Sequence, residues 1–229
     1  MTDSGNHRRK PSEIKAKAEA SHFWRIPEWF PEINEANLAK LKIYQDDLIL
    51  FNARMSLISP RTEQVSDFVH IADGILGSHL VASNFKSKEI YDFGSGNGVP
   101  GVIFALLYPA HTVRLVEADG RKIEYLKHCV AKMGLKNCIA VHARIEDLGE
   151  GVVSGIVTRG LASISKSLLL ARRCSAMGCQ FFHFKGQAWS KEIAEIPSQI
   201  LSSWDLKHVG DYRLPDHGPL MSIILTTRK

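Results

Sequence analysis

The stretch Glu89-Ile90-Tyr91-Asp92-Phe93-Gly94-Ser95-Gly96-Asn97-Gly98-Val99-Pro100-Gly101 decides the fold. Its first five residues predict a short strand, and the glycines after them predict a tight turn. Residues 99–108 then predict a helix. Downstream the alternation repeats. Strands are expected over 112–116, 138–141, 155–158 and 179–184, with helices over 121–133 and 164–176. Ile123, Leu126, Val130 and Met133 stand at helical spacing, and Gly134 closes that helix. Strands alternating with helices give right-handed βαβ units and a mostly parallel sheet covered on both faces. Two further extended segments, 204–209 and 221–226, flank the turn Pro215-Asp216-His217-Gly218-Pro219 and predict an antiparallel C-terminal edge.

Upstream the period changes. Leu38, Leu41, Tyr44, Leu48 and Phe51 form one helical stripe. After Ser59-Pro60-Arg61, a second runs through Val65, Phe68, Val69, Ala72, Ile75, Leu76 and Leu80. These predict an N-terminal helical subdomain over 23–84, ahead of an α/β domain over 85–229. Phe23-Trp24-Arg25-Ile26-Pro27-Glu28-Trp29-Phe30-Pro31 carries two prolines and predicts an irregular segment packed on the body, or a platform for stacking bases. Residues 1–22 are charged, poor in apolar types and without period, so a flexible arm is expected.

Composition narrows the class. The chain has 229 residues, 45% apolar and 23% charged, as in a folded soluble protein with one substantial core. No apolar run reaches the roughly 18–20 residues that a membrane span needs. The polar opening Met1-Thr-Asp-Ser-Gly-Asn does not read as a secretion signal. Four cysteines, Cys129, Cys138, Cys174 and Cys179, lack the spacing of a metal site, so no metal is expected. A net charge of +5 permits a polyanionic partner without identifying one.

Open α/β sheets bind ligands beyond the carboxyl ends of their strands. There the glycine turn admits two readings. Gly96-Asn97-Gly98-Val99-Pro100-Gly101 satisfies the G-x-G-x-x-G of dinucleotide sites, with Glu117 where a ribose-binding acid belongs, and so allows a nicotinamide-dependent oxidoreductase. Asp92-x-Gly94-x-Gly96-x-Gly98 instead looks like the first motif of methyltransferases that use S-adenosylmethionine (SAM). A carboxylate suits the ammonium of that ligand and does not suit a pyrophosphate. Glu117 would accept from the ribose diol, with Ala118 beside it, and Ile145 and Glu146 fall where the adenine is held.

The turn, with its distinctive Pro100-Gly101, resembles the signature of the glucose-inhibited division protein B family, the ribosomal small-subunit methyltransferase G enzymes. Val69-His70-Ile71-Ala72-Asp73, Gly120-Arg121-Lys122, His142-Ala143-Arg144-Ile145-Glu146, Thr158-Arg159-Gly160 and Phe184-Lys185-Gly186 match further family segments in order. The resemblance covers roughly residues 45–187. It implies a Rossmann-like SAM-dependent fold and methyl transfer to N7 of one guanosine in small-subunit ribosomal RNA. It also implies that Gly94, Val99, Ile145, Glu146 and Arg159 line the cofactor site. The expected partner is that RNA or the ribosomal subunit, and the enzyme is expected to be a cytoplasmic monomer. A non-catalytic member that binds SAM or RNA is the alternative within the family.

Guanine N7 offers a lone pair and carries no proton, so no general base is needed and no triad is expected. His70, Asp73 and Lys185 are the candidates for approaching the target, with a bracing role for His70 and Asp73 as the structural alternative. Arg121, Lys122, Lys127 and Lys185 are the candidate RNA contacts.

Overall fold

The computed structural model describes residues 22–229, so the arm expected over 1–22 lies outside the described residues except for His22. Seven strands form one sheet in the order β3-β2-β1-β4-β5-β7-β6. They are β1 Glu89–Phe93, β2 Thr112–Glu117, β3 Cys138–His142, β4 Val153–Arg159, β5 Ser175–Gly186, β6 Trp204–Arg213 and β7 Leu220–Arg228. The first five are mutually parallel, and β7 lies antiparallel between β5 and β6. This is the mostly parallel sheet with an antiparallel C-terminal edge that the sequence predicts. The register pairs Phe93 with Val116 and Glu117 with His142, which brings the carboxyl ends of β1, β2 and β3 to one rim.

One face of the sheet is covered by α1 Ile26–Trp29, α2 Glu35–Met55, α4 Asp73–Asn84, α5 Gly101–Leu107 and α6 Gly120–Lys132, with the short helix α3 Pro60–Glu63, which buries no residue, between α2 and α4. Tyr44, Ile75, Phe104, Leu115 and Leu126 share a single core there, so the helices expected as a subdomain pack directly onto the sheet. The opposite face carries α7 Ile164–Ala171, α8 Trp189–Ala194 and α9 Ser198–Leu201, over Phe93, Ile156, Phe181 and Trp204. Strand β1 is buried from Ile90 to Phe93 because both faces are covered.

Three local expectations are corrected. The segment 23–31 is not wholly irregular: α1 forms with Pro27 in its first turn, where a missing N–H costs nothing. The second stripe is not one continuous α-helix. A π-helical turn, Asp67–Ala72, precedes α4. The helix expected to reach residue 176 stops at Ala171, and β5 begins at Ser175. Helices α8 and α9 have no counterpart in the sequence pattern. The aromatic segment is held by Arg25, whose Nη2 and Nε donate to the buried Asp67 carboxylate at 2.9 and 3.0 Å. Its guanidinium lies 4.5 Å from the centre of the Trp29 ring.

Candidate functional site

The glycine turn is built on β1 and braced from beneath. Gly94 and Ser95 donate backbone N–H bonds to Val116 O at 3.0 and 3.1 Å, tying the turn to the end of β2. Tyr44 of α2 and Tyr125 of α6 both direct their hydroxyls at Asn97 O, at 2.6 and 3.2 Å. Gly96 has φ +50°, and a Cβ there would meet only Gly94 O at 3.6 Å, so the space above it is open. At Gly94, with φ +69°, a Cβ would meet Leu161 Cδ1 at 2.7 Å. The left-handed backbone there favours glycine, and any side chain would have to displace Leu161.

Asp92 does not stand at the mouth of the turn, where the motif places a partner for a ligand's ammonium. Its side chain is buried, and Oδ2 accepts the Gly101 N–H at 3.1 Å while Oδ1 has no partner. Burial raises its carboxyl to about 7, with the Gly101 hydrogen bond pulling the other way. Asp92 thus ties the start of α5 to β1.

Glu117 closes β2. Its Oε2 accepts the Gly96 N–H at 2.9 Å, and Oε1 accepts from Ala118 N and Asp119 N at 2.8 and 2.9 Å. A carboxylate accepts at about four lone-pair positions, so three of them serve the backbone. Beyond Glu117 lies a cavity of about 480 Å³, lined among others by Gly94, Glu117, Ala118, Ile145, Glu146 and Leu161. Residues expected from β1, β2 and β3 therefore meet around one concave space. Ala143, which stands in a segment that resembles the family, also lines it, as do Leu161, Lys166 and Leu170, which had no sequence signal.

Arg159, at the end of β4, is clamped. Nε donates to Asp73 Oδ2 at 2.5 Å, Nη2 donates to Val69 O at 2.8 Å, and Nη1 lies 3.1 Å from His70 Nδ1. Tyr212 Oη of β6 donates to the other Asp73 oxygen at 2.6 Å. Burial, then the Arg159 charge, lowers His70 to about 3. The imidazole is neutral, so Nδ1 accepts from Arg159 and Nε2 donates to Thr62 Oγ1 at 3.1 Å. Asp73 is fully buried. Tyr212, which sequence reasoning missed, is separated from Asp73 by 139 residues.

Comparison with known proteins gives the family. The family model GidB, rRNA small subunit methyltransferase G, matches residues 37–210. The chain belongs to the rRNA small subunit methyltransferase G family. The ribosomal RNA small subunit methyltransferase G 3 of Bdellovibrio bacteriovorus is 41% identical over 207 residues, covering 90% of this chain and 94% of the relative. The methyltransferase G of Photobacterium profundum is 28% identical over 86% of this chain and 93% of its own. Among solved structures, a SAM dependent methyltransferase from Aquifex aeolicus superposes with a TM-score of 0.51 at 15% identity, over 75% of this chain and 95% of that one, and shares the fold.

Membership gives the dinucleotide reading of the turn no support. The remaining candidates sit apart from the cavity. Lys185 is mostly buried, and its Nζ donates to Ala162 O at 2.9 Å and Glu192 Oε2 at 2.7 Å, which fixes the loop after β4 against α8. Arg121 and Lys127 are exposed on α6 and pair with Asp119 and Glu124, while Lys122 is half-buried. Val99 is buried at the base of the turn, and a Cβ on Gly98 would press on Val102 at 2.9 Å. All four cysteines are free and buried. Among the described residues, no His, Cys, Asp or Glu cluster could hold a metal, and no helix is long and apolar enough to cross a membrane.

Proposed function

We propose that this chain transfers a methyl group from SAM to N7 of a guanosine in small-subunit ribosomal RNA. A SAM-dependent ribosomal RNA methyltransferase is what its family and fold make it, and the N7 target is the finer step. The observation that carries the reading is the open glycine cradle at Gly96, joined through Glu117 to the cavity beside it.

The residues fit that cofactor. Open space over Gly96 leaves room for a ligand against the main chain, and a carboxylate at the end of β2 suits a diol. Apolar Leu161, Leu170 and Ile145 would hold an aromatic ring, with Gly94, Ala118 and Glu146 completing the walls and Val99 supporting the turn from its base. When bound, SAM supplies an electrophilic methyl group on a sulfonium. Guanine N7 presents its lone pair without deprotonation, so the protein's work is alignment, worth about 7–11 kcal/mol where geometry is tightly held. No proton need be taken up, which agrees with a neutral His70 whose two nitrogens are already engaged.

In this reading Arg159 is the cofactor-facing group of the clamp. His70, Asp73 and Tyr212 orient it, and Asp92 and Lys185 hold the two loops. The helices of 23–84 and the domain of 85–229 act as one unit, working as a monomer in the cytoplasm where ribosomal subunits are found. Incubation with methyl-labelled SAM and small subunits lacking the modification, followed by mapping of the label, tests the reading. Label at a guanosine N7 supports it, and cofactor binding without transfer to RNA contradicts it.

A further inference from the structure

We propose that the outer face of α7 is a docking groove for the phosphodiester backbone of RNA flanking the target nucleotide. This rests on the methyltransferase reading above but concerns basic side chains that reading does not use. The cavity beside Glu117 does not end at Leu170. Lys166 and Leu170 also line a second concavity, of about 510 Å³, together with Arg172 and Arg173. Those two arginines in turn line a third, of about 530 Å³, which Arg228 closes. The three are consecutive along α7, whose eight residues alone span about 12 Å.

The charge along this path has one sign. Lys166, Arg172, Arg173 and Arg228 line the two outer concavities, and Glu146 is the single carboxylate residue among their lining. The side chains of Lys166 and Arg172 have no hydrogen-bond or ion-pair partner among the described residues. Arg173 Nη1 reaches only the Glu146 carbonyl oxygen, and Arg228 Nη1 only the Ser203 carbonyl oxygen, each at 3.3 Å. Four cations in a continuous groove without their own carboxylates attract a polyanion, and arginine suits phosphate through its planar fork. By contrast, the exposed α6 cations Arg121 and Lys127 already have acidic neighbours, Asp119 and Glu124. The groove opens into the cavity by Glu117, so a strand lying in it would continue toward the rim where the cofactor is read. The phosphate contacts would fix register, and the target base would be chosen elsewhere.

The test compares the wild-type chain with Arg172→Gln, Arg172→Glu and Arg172→Glu/Arg228→Glu. Small ribosomal subunits lacking the modification are the probe, co-sedimented across a range of salt. S-adenosylhomocysteine titration and thermal melting report cofactor binding and folding. The double variant is expected to bind S-adenosylhomocysteine within about twofold of wild type and to bind subunits at least about tenfold more weakly. Its plot of log affinity against log salt should be shallower by about 0.7–0.9 for each phosphate that is no longer neutralised. Arg172→Gln, at an exposed position, gives the same direction should the double variant melt early. Unchanged subunit affinity with an unchanged salt slope overturns the groove. Methyl transfer separates the two claims. If wild type transfers and the variants transfer with unchanged KM, the groove falls and the activity stands. If wild type binds subunits through these arginines without transfer, the groove stands and the activity falls.

Discussion

The Gly96 N–H donates to Glu117 Oε2 at 2.9 Å, so the turn after the first strand is latched to the end of the second. Two features that a ligand would use, an open main-chain cradle and a carboxylate, are thereby held at fixed spacing before anything binds. Glu117→Gln keeps one acceptor for the backbone but removes the charge. A hydrogen bond to a charged group contributes about 1.5–3 kcal/mol, so S-adenosylhomocysteine affinity should fall about 10- to 100-fold in calorimetry. Wild-type affinity would mean that Glu117 only closes the turn.

Gly96→Asp tests the cradle itself. Aspartate tolerates the left-handed backbone at φ +50°, so the melting temperature should drop only slightly. Its side chain and charge would enter the open space, and S-adenosylhomocysteine binding should be lost. Gly101→Ala should do the reverse. A Cβ there would lie 2.6 Å from Asp92 Oδ2, in a fully packed place, so the variant should lose about 1–3 kcal/mol of stability by denaturant titration.

The first two strands, the turn between them and the second sheet helix are legible because their patterns are local: alternation, consecutive glycines, a 3.6-residue stripe. The braces of the same turn are not. Tyr44 reads as an ordinary core aromatic in its stripe, Tyr125 stands outside the stripe read for its helix, and nothing in either helix says that both hydroxyls converge on Asn97 O. Asp92 is legible as important but not in its direction, because sequence shows that a carboxylate is present and not that it turns inward to cap Gly101. The end of α7 is misplaced in the sequence reading because Ala171-Arg172-Arg173-Cys174-Ser175-Ala176 holds no glycine or proline to mark where the helix stops.

Tyr212→Phe separates positioning from folding. It removes one hydrogen bond and leaves a buried Asp73 oxygen without its donor, which costs about 1–3 kcal/mol. If Tyr212 orients Arg159 through Asp73, the KM for SAM should rise severalfold while kcat changes little. A loss of stability alone, with both kinetic constants unchanged, would make the contact purely structural. Arg159→Ala should be far worse for the fold, about 3–5 kcal/mol, because the Asp73 carboxylate would be left buried and unpaired.

Stability should depend on pH in a defined way. Burial lowers His70 and His183 to about 3 from 6.5, so below pH 6.5 the unfolded chain binds more protons than the folded one. Their contribution is complete above 6.5 and is lost as pH falls toward about 3. Asp92 acts oppositely: raised to about 7 from 3.8, it takes stability away as pH rises between those values. Two histidines outweigh one aspartate, so denaturant midpoints should climb from about pH 5 to about pH 6.5. Asp92→Asn keeps an acceptor for Gly101 and should steepen the climb. A profile no steeper than wild type would contradict the raised Asp92 carboxyl.

The most direct measurement is base-resolved mapping of methyl label on small-subunit RNA, after incubation of unmodified subunits with labelled SAM and this chain. The expected result is one guanosine carrying the label at N7, released by the cleavage chemistry specific to 7-methylguanosine, and absent with Gly96→Asp. Label on an exocyclic amine or a ribose oxygen, or none at all from a chain that binds S-adenosylhomocysteine, would contradict it.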